Sequence, residues 1–228
     1  MLKPKKKLNT GKVEKEPLVE RVEMVEDFIK EHSKILMGAL AGLVVVIVVV
    51  VLMFRSKAKA NKQASGELGI AEISLARGDT SDAVLRLEDL TAQYPGTKSA
   101  NLASALLGRI AMMRGDYTTA EQHFNTYLQN NKKEDIFTVQ VLQGLANSYY
   151  VREDYVGAAQ QYLEAAKIAP HQFQKNNSLL HAAKCYLASS DAQRAKELIT
   201  RVKDNKPEEK SIRDLLNTLE NQLAAKNI

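Results

Sequence analysis

The side chains able to do chemistry are few and scattered. His32, His123, His171 and His181 are isolated from one another, and none forms a His-Glu-x-x-His pair or stands at metal-ligand spacing from a cysteine. The single cysteine, Cys185, excludes an intramolecular disulfide. It falls in the apolar helical pattern Ala182, Ala183, Cys185, Tyr186, which predicts a small buried thiol. There is no glycine-rich phosphate loop and no Gly-x-Ser-x-Gly elbow. Paired carboxylates such as Glu208-Glu209 sit in polar stretches that predict a solvated face, and His181 is expected on a helix surface. The pattern points away from an enzyme and implies no cofactor or metal. What remains is the chemistry of recognition, which depends on the elements that carry it.

The first of these is the run Ile35 to Phe54, twenty residues without a charge, fourteen of them Leu, Ile, Val or Phe. As a helix it is roughly 30 Å long, the thickness of a bilayer's hydrocarbon core, which predicts a transmembrane helix over 35–54. A cleaved signal has a shorter apolar stretch behind a short basic tip. Here thirty-four residues come first, and charge crowds the only small-x-small pattern, Ala58-Lys59-Ala60. Gly38 and Gly42 make a Gly-x-x-x-Gly face, a candidate contact for another membrane helix.

Residues 1–17 are Lys-rich and predict a disordered basic tail. Over 18–34, Leu18, Val22, Val25, Phe28 and Ile29 alternate with Glu20, Glu23, Glu26 and Asp27, predicting an amphipathic juxtamembrane helix. Residues 55–62 form a basic linker. The net charge of +5 does not imply nucleic acid, because Lys3, Lys5, Lys6, Lys7, Arg55, Lys57, Lys59 and Lys62 supply eight positive charges beside the membrane. Nine Lys or Arg precede the apolar run and four follow it, favouring a cytoplasmic N-terminus. Counted only beside the run, the contrast narrows to Arg21, Lys30 and Lys34 against four.

Residues 63–228 are amphipathic helix with a repeat. Asp79, Asp116, Asp154 and Asp191 recur at intervals of 37, 38 and 37, each followed four residues later by Ala83, Ala120, Ala158 or Ala195. Ala71, Gly108, Ala146 and Ala183 stand eight before each Asp, and Leu87, Phe124, Tyr162 and Ile199 eight after. Pro95, Pro170 and Pro207 close three of the four units; the second has Lys132 instead. The physical reading is a helix hairpin with small residues at the close approach, Asp at the turn and proline past the second helix. One hairpin leaves an apolar face uncovered, so the units stack. Residues 211–225, with Ile212, Leu215, Leu216, Leu219 and Leu223 on one face, predict a capping helix. The fold class is all-α: one transmembrane helix, then an α-solenoid of about four hairpins and a cap.

This pattern resembles the tetratricopeptide repeat, whose unit is about 34 residues long. The third unit fits best, through Leu142, Leu145, Ala146, Tyr149, Ala158, Tyr162, Ala165 and Pro170; in the first, Glu67 replaces the expected aromatic. The resemblance implies a concave wall formed by the first helix of each hairpin. Carried onto this sequence, its residues are Leu68, Glu72 and Leu75; Ala105, Arg109 and Met112, with Met113 adjoining; Gln143, Asn147 and Tyr150; and Leu180, Lys184 and Leu187. The apolar members serve either the wall or the packing between hairpins, whereas core packing has no use for Arg109, Asn147 and Lys184. Such a wall suits other proteins or extended peptides.

A short arm, an anchor and such repeats are also similar to the YfgM-type ancillary subunits of the SecYEG translocon, grouped with the repeat domain of the cell-division coordinator CpoB. Glu26-Asp27-Phe28-Ile29-Lys30 carries part of this likeness. It implies a single-pass bacterial inner-membrane protein with a periplasmic repeat domain that engages translocon subunits, exported clients or periplasmic chaperones. The alternatives are a cell-envelope or cell-division assembly scaffold, or a cytosol-facing import receptor if topology is reversed.

Overall fold

The computed structural model describes residues 31–131 and 133–225; the basic tail, most of the amphipathic segment 18–34, and Lys132 lie outside them. The described residues form nine helices and no strand. The chain divides into two units, Met1–Ser56 and Lys57–Ile228. The described part of the first unit belongs to α1 (Ser33–Ala76), which is long and apolar enough to cross a membrane. Its large apolar side chains, Ile35, Val46 and Phe54 among them, are exposed. The basic segment 55–62, expected as a linker, is helical and part of α1.

The second unit takes α1 from Lys57 onward, then α2 (Thr80–Gln93), α3 (Lys98–Met113), α4 (Tyr117–Asn130), α5 (Ile136–Val151), α6 (Tyr155–Ile168), α7 (Gln172–Ala188), α8 (Ala192–Asp204) and α9 (Lys210–Ala225). The first eight make four hairpins. In each, the aspartate of the repeat is the N-cap of the second helix. Its carboxylate accepts an amide hydrogen bond from Asp82, Thr119, Gly157 or Arg194 at 2.9–3.1 Å. The same aspartate finishes the preceding helix. Its own N–H donates to a carbonyl five residues back, from Asp79 to Ser74, Asp116 to Ala111, Asp154 to Tyr149 and Asp191 to Tyr186. The residue before it has positive φ and donates three back, which completes a Schellman end. Each turn thus fuses a C-cap and an N-cap through one aspartate. The left-handed residue is Gly78 (φ 83°) and Gly115 (φ 79°) in two hairpins, but Glu153 and Ser190 (both φ 64°) in the others.

The small residues do what the spacing predicts. Ala71, Ala146 and Ala183, and opposite them Ala83, Ala120, Ala158 and Ala195, have no exposed surface. Leu87, Phe124, Tyr162 and Ile199 are buried beside them. The second helices stop at Gln93, Ile168 and Asp204, just short of Pro95, Pro170 and Pro207. Where the second hairpin lacks a closing proline, a polar latch holds the joint. Asn131 Nδ2 donates to Tyr127 Oη (2.7 Å) and Thr138 Oγ1 (2.9 Å), and Thr138 Oγ1 donates to the Lys133 carbonyl (2.7 Å).

Neighbouring hairpins stack through their facing helices. In addition, α3 touches α5, and α5 touches α7, while among the described residues no such contact links α2, α4, α6 and α8. In a bent stack the helices on the inside of the curve approach and those on the outside fan apart. The first helices are therefore the inner layer. Helix α9 buries Ile212, Leu216, Leu219 and Leu223 against α7 and α8 and closes the C-terminal end.

The turn geometry makes a directional prediction. Ser190→Gly and Glu153→Gly relieve left-handed strain and should each stabilise the fold by about 1 kcal/mol, whereas Asp154→Ala and Asp191→Ala should each cost about 1 kcal/mol. Denaturant midpoints of the full chain in a non-ionic detergent measure both; glycine variants that melt earlier would refute the turn assignment.

Candidate protein-binding groove

One side chain from each inner helix stands at the same place in the repeat: Glu72, Arg109, Asn147 and Lys184, all exposed. They form a row along the inner layer because the 37- or 38-residue period returns each helix to the same rotation. Between α3 and α5, behind Arg109 and Asn147, lies a cavity of about 190 Å³. Ala105, Leu106, Met112, Phe124, Phe137 and Val141 give it an apolar lining; Arg109, Gln140, Gln143 and Asn147 add polar groups.

Its floor is Phe124 from α4, held between two glycines. A Cβ on Gly108 would come within 2.8 Å of the ring, and one on Gly144 would also come within 2.8 Å of it. The ring therefore sits where two helix backbones, one from each hairpin, lack side chains. Phe137 completes the wall and meets Tyr127 edge-on, ring centroids 5.5 Å apart. The polar latch at Asn131 thus adjoins the cavity wall through Tyr127.

Further along, the inner face becomes aromatic. Tyr162 Oη donates to Asn147 Oδ1 at 2.6 Å, and its ring stacks on His181 with centroids 5.2 Å apart. Burial raises the Tyr162 phenol above its ordinary value, so it remains a donor. Burial, helped by the Lys184 charge, lowers His181 below the ordinary histidine range. Tyr150 meets Tyr155 edge-on at 5.2 Å and takes the Lys184 ammonium 5.0 Å over its ring. The Cys185 thiol is pushed up to about 12 by burial, which leaves it unreactive.

The expected wall residues divide by burial. Glu72, Arg109, Met113, Asn147 and Lys184 are exposed; Leu75, Met112, Gln143 and Tyr150 are half-buried; Ala105 is buried in the cavity lining. Leu68, Leu180 and Leu187 require correction as wall residues. They pack in the cores between hairpins, with Leu180 fully buried, so their surface is spent on neighbouring helices. Gln143 divides its use, since its Nε2 donates to Ser178 Oγ (2.9 Å) and ties α5 to α7. His181 also departs from its expected surface position, because it is half-buried against Tyr162. Gly38 and Gly42 lie in α1 with nothing within 4 Å of where a Cβ would stand. The row of residues alone did not reveal Phe124, Phe137, Gln140, Val141 and Gly144 as cavity residues. Gly144 carried the usable signal: a glycine inside a helix costs about 1 kcal/mol unless something needs its space. Among the described residues, no three His, Cys, Asp or Glu side chains are grouped to hold a metal ion.

The chain belongs to the tetratricopeptide repeat-like domain family, whose pattern matches residues 26–178. That stretch starts ahead of the apolar run and so includes it. No curated protein matches the sequence. BtubC from P. vanneervenii is similar in structure, with 18% identity and a TM-score of 0.54 over 68% of this chain, which spans 64% of that one. A putative kinesin light chain repeat protein of P. anserina gives 16% identity and a TM-score of 0.53, covering 72% and 95% of the two chains. Pseudomonas aeruginosa PilF gives 16% and 0.50, covering 75% and 78%. At these identities the likeness establishes the fold alone, a stack of helix hairpins.

Two predictions follow from the buried groups. Gly108→Ala and Gly144→Ala should destabilise the fold, since overpacking costs about 1–3 kcal/mol against a helix-propensity gain of about 1 kcal/mol. The loss should be larger at Gly108, where the Ala120 carbonyl is also close at 3.2 Å. In a Phe124→Leu background both glycine changes should become neutral or stabilising, and a loss unchanged by that background removes the clamp. The second concerns pH. With a folded pKa below its unfolded value, His181 contributes stability that is complete above about pH 6.5 and is lost as pH falls through the folded value. His181→Gln should flatten the acid side of a melting-temperature profile; equal slopes in both proteins would contradict this.

Proposed function

We propose that this chain is a non-enzymatic, membrane-tethered scaffold whose inner wall binds extended segments of other proteins, and that it serves at the secretion translocon from the periplasmic side. The single observation carrying the binding reading is the cavity between α3 and α5, opening beside the row Arg109, Asn147 and Lys184. Arg109 makes no ion pair among the described residues, Asn147 and Lys184 stay exposed although they also meet Tyr162 and Tyr150, and the apolar pocket is of side-chain size. The remaining members of the groove are Glu72, Leu75, Met112, Met113, Gln143 and Tyr150.

Three things support the tether. Helix α1 has the length and composition of a membrane span, and the large apolar side chains of its N-terminal stretch, Ile35, Val46 and Phe54 among them, are exposed. It includes eight consecutive β-branched residues, Val44 to Val51, a poor helix former in water that lipid would hold helical by leaving its backbone no other partner. The family match contains the same run. The open Gly38 and Gly42 face suits close packing of a partner's membrane helix. The excess of Lys and Arg before the run favours a cytoplasmic N-terminus and a periplasmic repeat domain.

Paired alkaline phosphatase and green fluorescent protein fusions after Ile228 test the topology. Phosphatase activity is expected, and fluorescence alone would mean a cytosol-facing receptor. In-cell crosslinking followed by co-purification tests the partners. Translocon subunits, exported clients or periplasmic chaperones are expected, whereas recovery of division proteins with septal localisation would favour an envelope-assembly scaffold.

A further inference from the structure

Helix α9 closes the C-terminal end of the stack, whereas the N-terminal end is open. In hairpins two to four the first helix is covered by the second helix of the preceding hairpin, α3 by α2, α5 by α4 and α7 by α6. Two positions that receive this cover stand nine and six residues before the repeat aspartate. They hold Leu107 and Ile110, Leu145 and Ser148, and Ala182 and Cys185, all of them buried. Hairpin one has Ile70 and Ile73 at the same two positions, and these are 43% and 51% exposed. Among the described residues no hairpin precedes it. A repeat stack needs a polar outer face where its end meets water, and two isoleucines are the reverse of one.

The pattern on α1 specifies what fits there. Gln63, Gly66, Ile70 and Ile73 are spaced by three, four and three residues and are all exposed, a seam for one parallel or antiparallel helix. Nothing lies within 4 Å of where a Cβ on Gly66 or Gly69 would stand. A glycine weakens a helix, and here the pair leaves room for a second backbone to come close. Lys59 and Arg77 continue the spacing at either end and confine the seam to about 15 Å. Beside it stand Lys62 and Glu67, one on each flank and both exposed. Neither makes an ion pair among the described residues; Glu67 feels the Arg86 charge, but Arg86 pairs with Asp82. In a parallel helix pair the residue on one flank faces the residue five further on in the other helix, and Lys62 and Glu67 are five apart. An antiparallel pair sets each flank against its own kind and loses the match.

We propose that this face is covered by a second copy of the chain, the two α1 segments lying parallel about a two-fold axis. Ile70 and Ile73 of each copy meet the same residues of the other, Gln63 meets Gln63, and Lys62 of each copy pairs with Glu67 of the other. The groove stays open, since Glu72 lies on another side of α1. Two chains anchored in one bilayer share this parallel sense. Because the seam is short, it relies on the raised effective concentration that a common membrane gives, and to that extent the pairing rests on the tether reading.

Single cysteines in the full chain, oxidised with copper phenanthroline in isolated membranes, test this. Cys185 is buried, so an introduced thiol reports alone. Ile70→Cys should give a disulfide-linked product of twice the mass of one chain, and Ser65→Cys, on another side of α1, should give none. Adding Ile73→Glu should remove the Ile70→Cys product while the melting temperature stays unchanged. Lys62→Glu or Glu67→Lys alone should slow crosslinking about threefold, and the two together should restore it. No product from Ile70→Cys, or equal product from Ser65→Cys, overturns the pairing. A product of any other mass means that a different protein or a larger ring covers the face, and overturns it too. A double charge reversal slower than either single one overturns the parallel register. Retention of the chain in carbonate-washed membranes checks the tether separately. A chain released by the wash overturns the tether, and the same crosslinking in concentrated solution then decides the pairing.

Discussion

Close approach of two helix backbones at a buried pair of small residues, alanine opposite alanine in three hairpins and Gly108 opposite Ala120 in the second, is the constraint from which the architecture follows. A larger side chain at Ala83, Ala120, Ala158 or Ala195 would push each hairpin apart, because these residues have no free surface to move into. Since the spacing is the same in every hairpin, each repeat presents nearly the same face to the next. Bending brings α3 against α5 and α5 against α7. It also aligns Glu72, Arg109, Asn147 and Lys184, which makes a groove of four otherwise unrelated positions.

The turns keep that spacing in register. A single aspartate ends one helix and starts the next, so little slack remains between them. In Asp116, hydrogen bonds from the Thr119 hydroxyl and amide hold the carboxyl below its usual range, which keeps the cap ionised in mild acid. Two hairpins accept a side chain at the left-handed position, Glu153 and Ser190, and the motif survives because its hydrogen bonds are made by backbone and aspartate.

Much of the fold was legible because it is built from period. Ala, Asp and the large residue recur on a fixed count, and each occupies the place its size or hydrogen-bonding requires. The turn glycines and the proline stops were readable for the same reason, and so was the cap built on Ile212, Leu216, Leu219 and Leu223. The groove was less legible. Repeat position indicates which way a helix faces and does not say how far the neighbouring hairpin covers it. Hence Leu68, Leu180 and Leu187 read as wall residues though neighbours bury them, while Arg109, Asn147 and Lys184, which cannot be buried cheaply, read correctly as exposed. The cavity was hidden because it requires Phe124, Gly108 and Gly144 to meet, and that contact crosses from one repeat to the next. His181 was misplaced for the same reason, its partner Tyr162 lying on another helix.

The trapped phenyl ring has a mechanical consequence. Phe124 belongs to one hairpin and rests against a backbone of its own pair and another of the following pair. Anything that displaces it must strain both at once. The joint between the second and third hairpins is therefore stiffer in bending than a joint packed by flexible aliphatic chains, and its angle is set by the thickness of an aromatic ring.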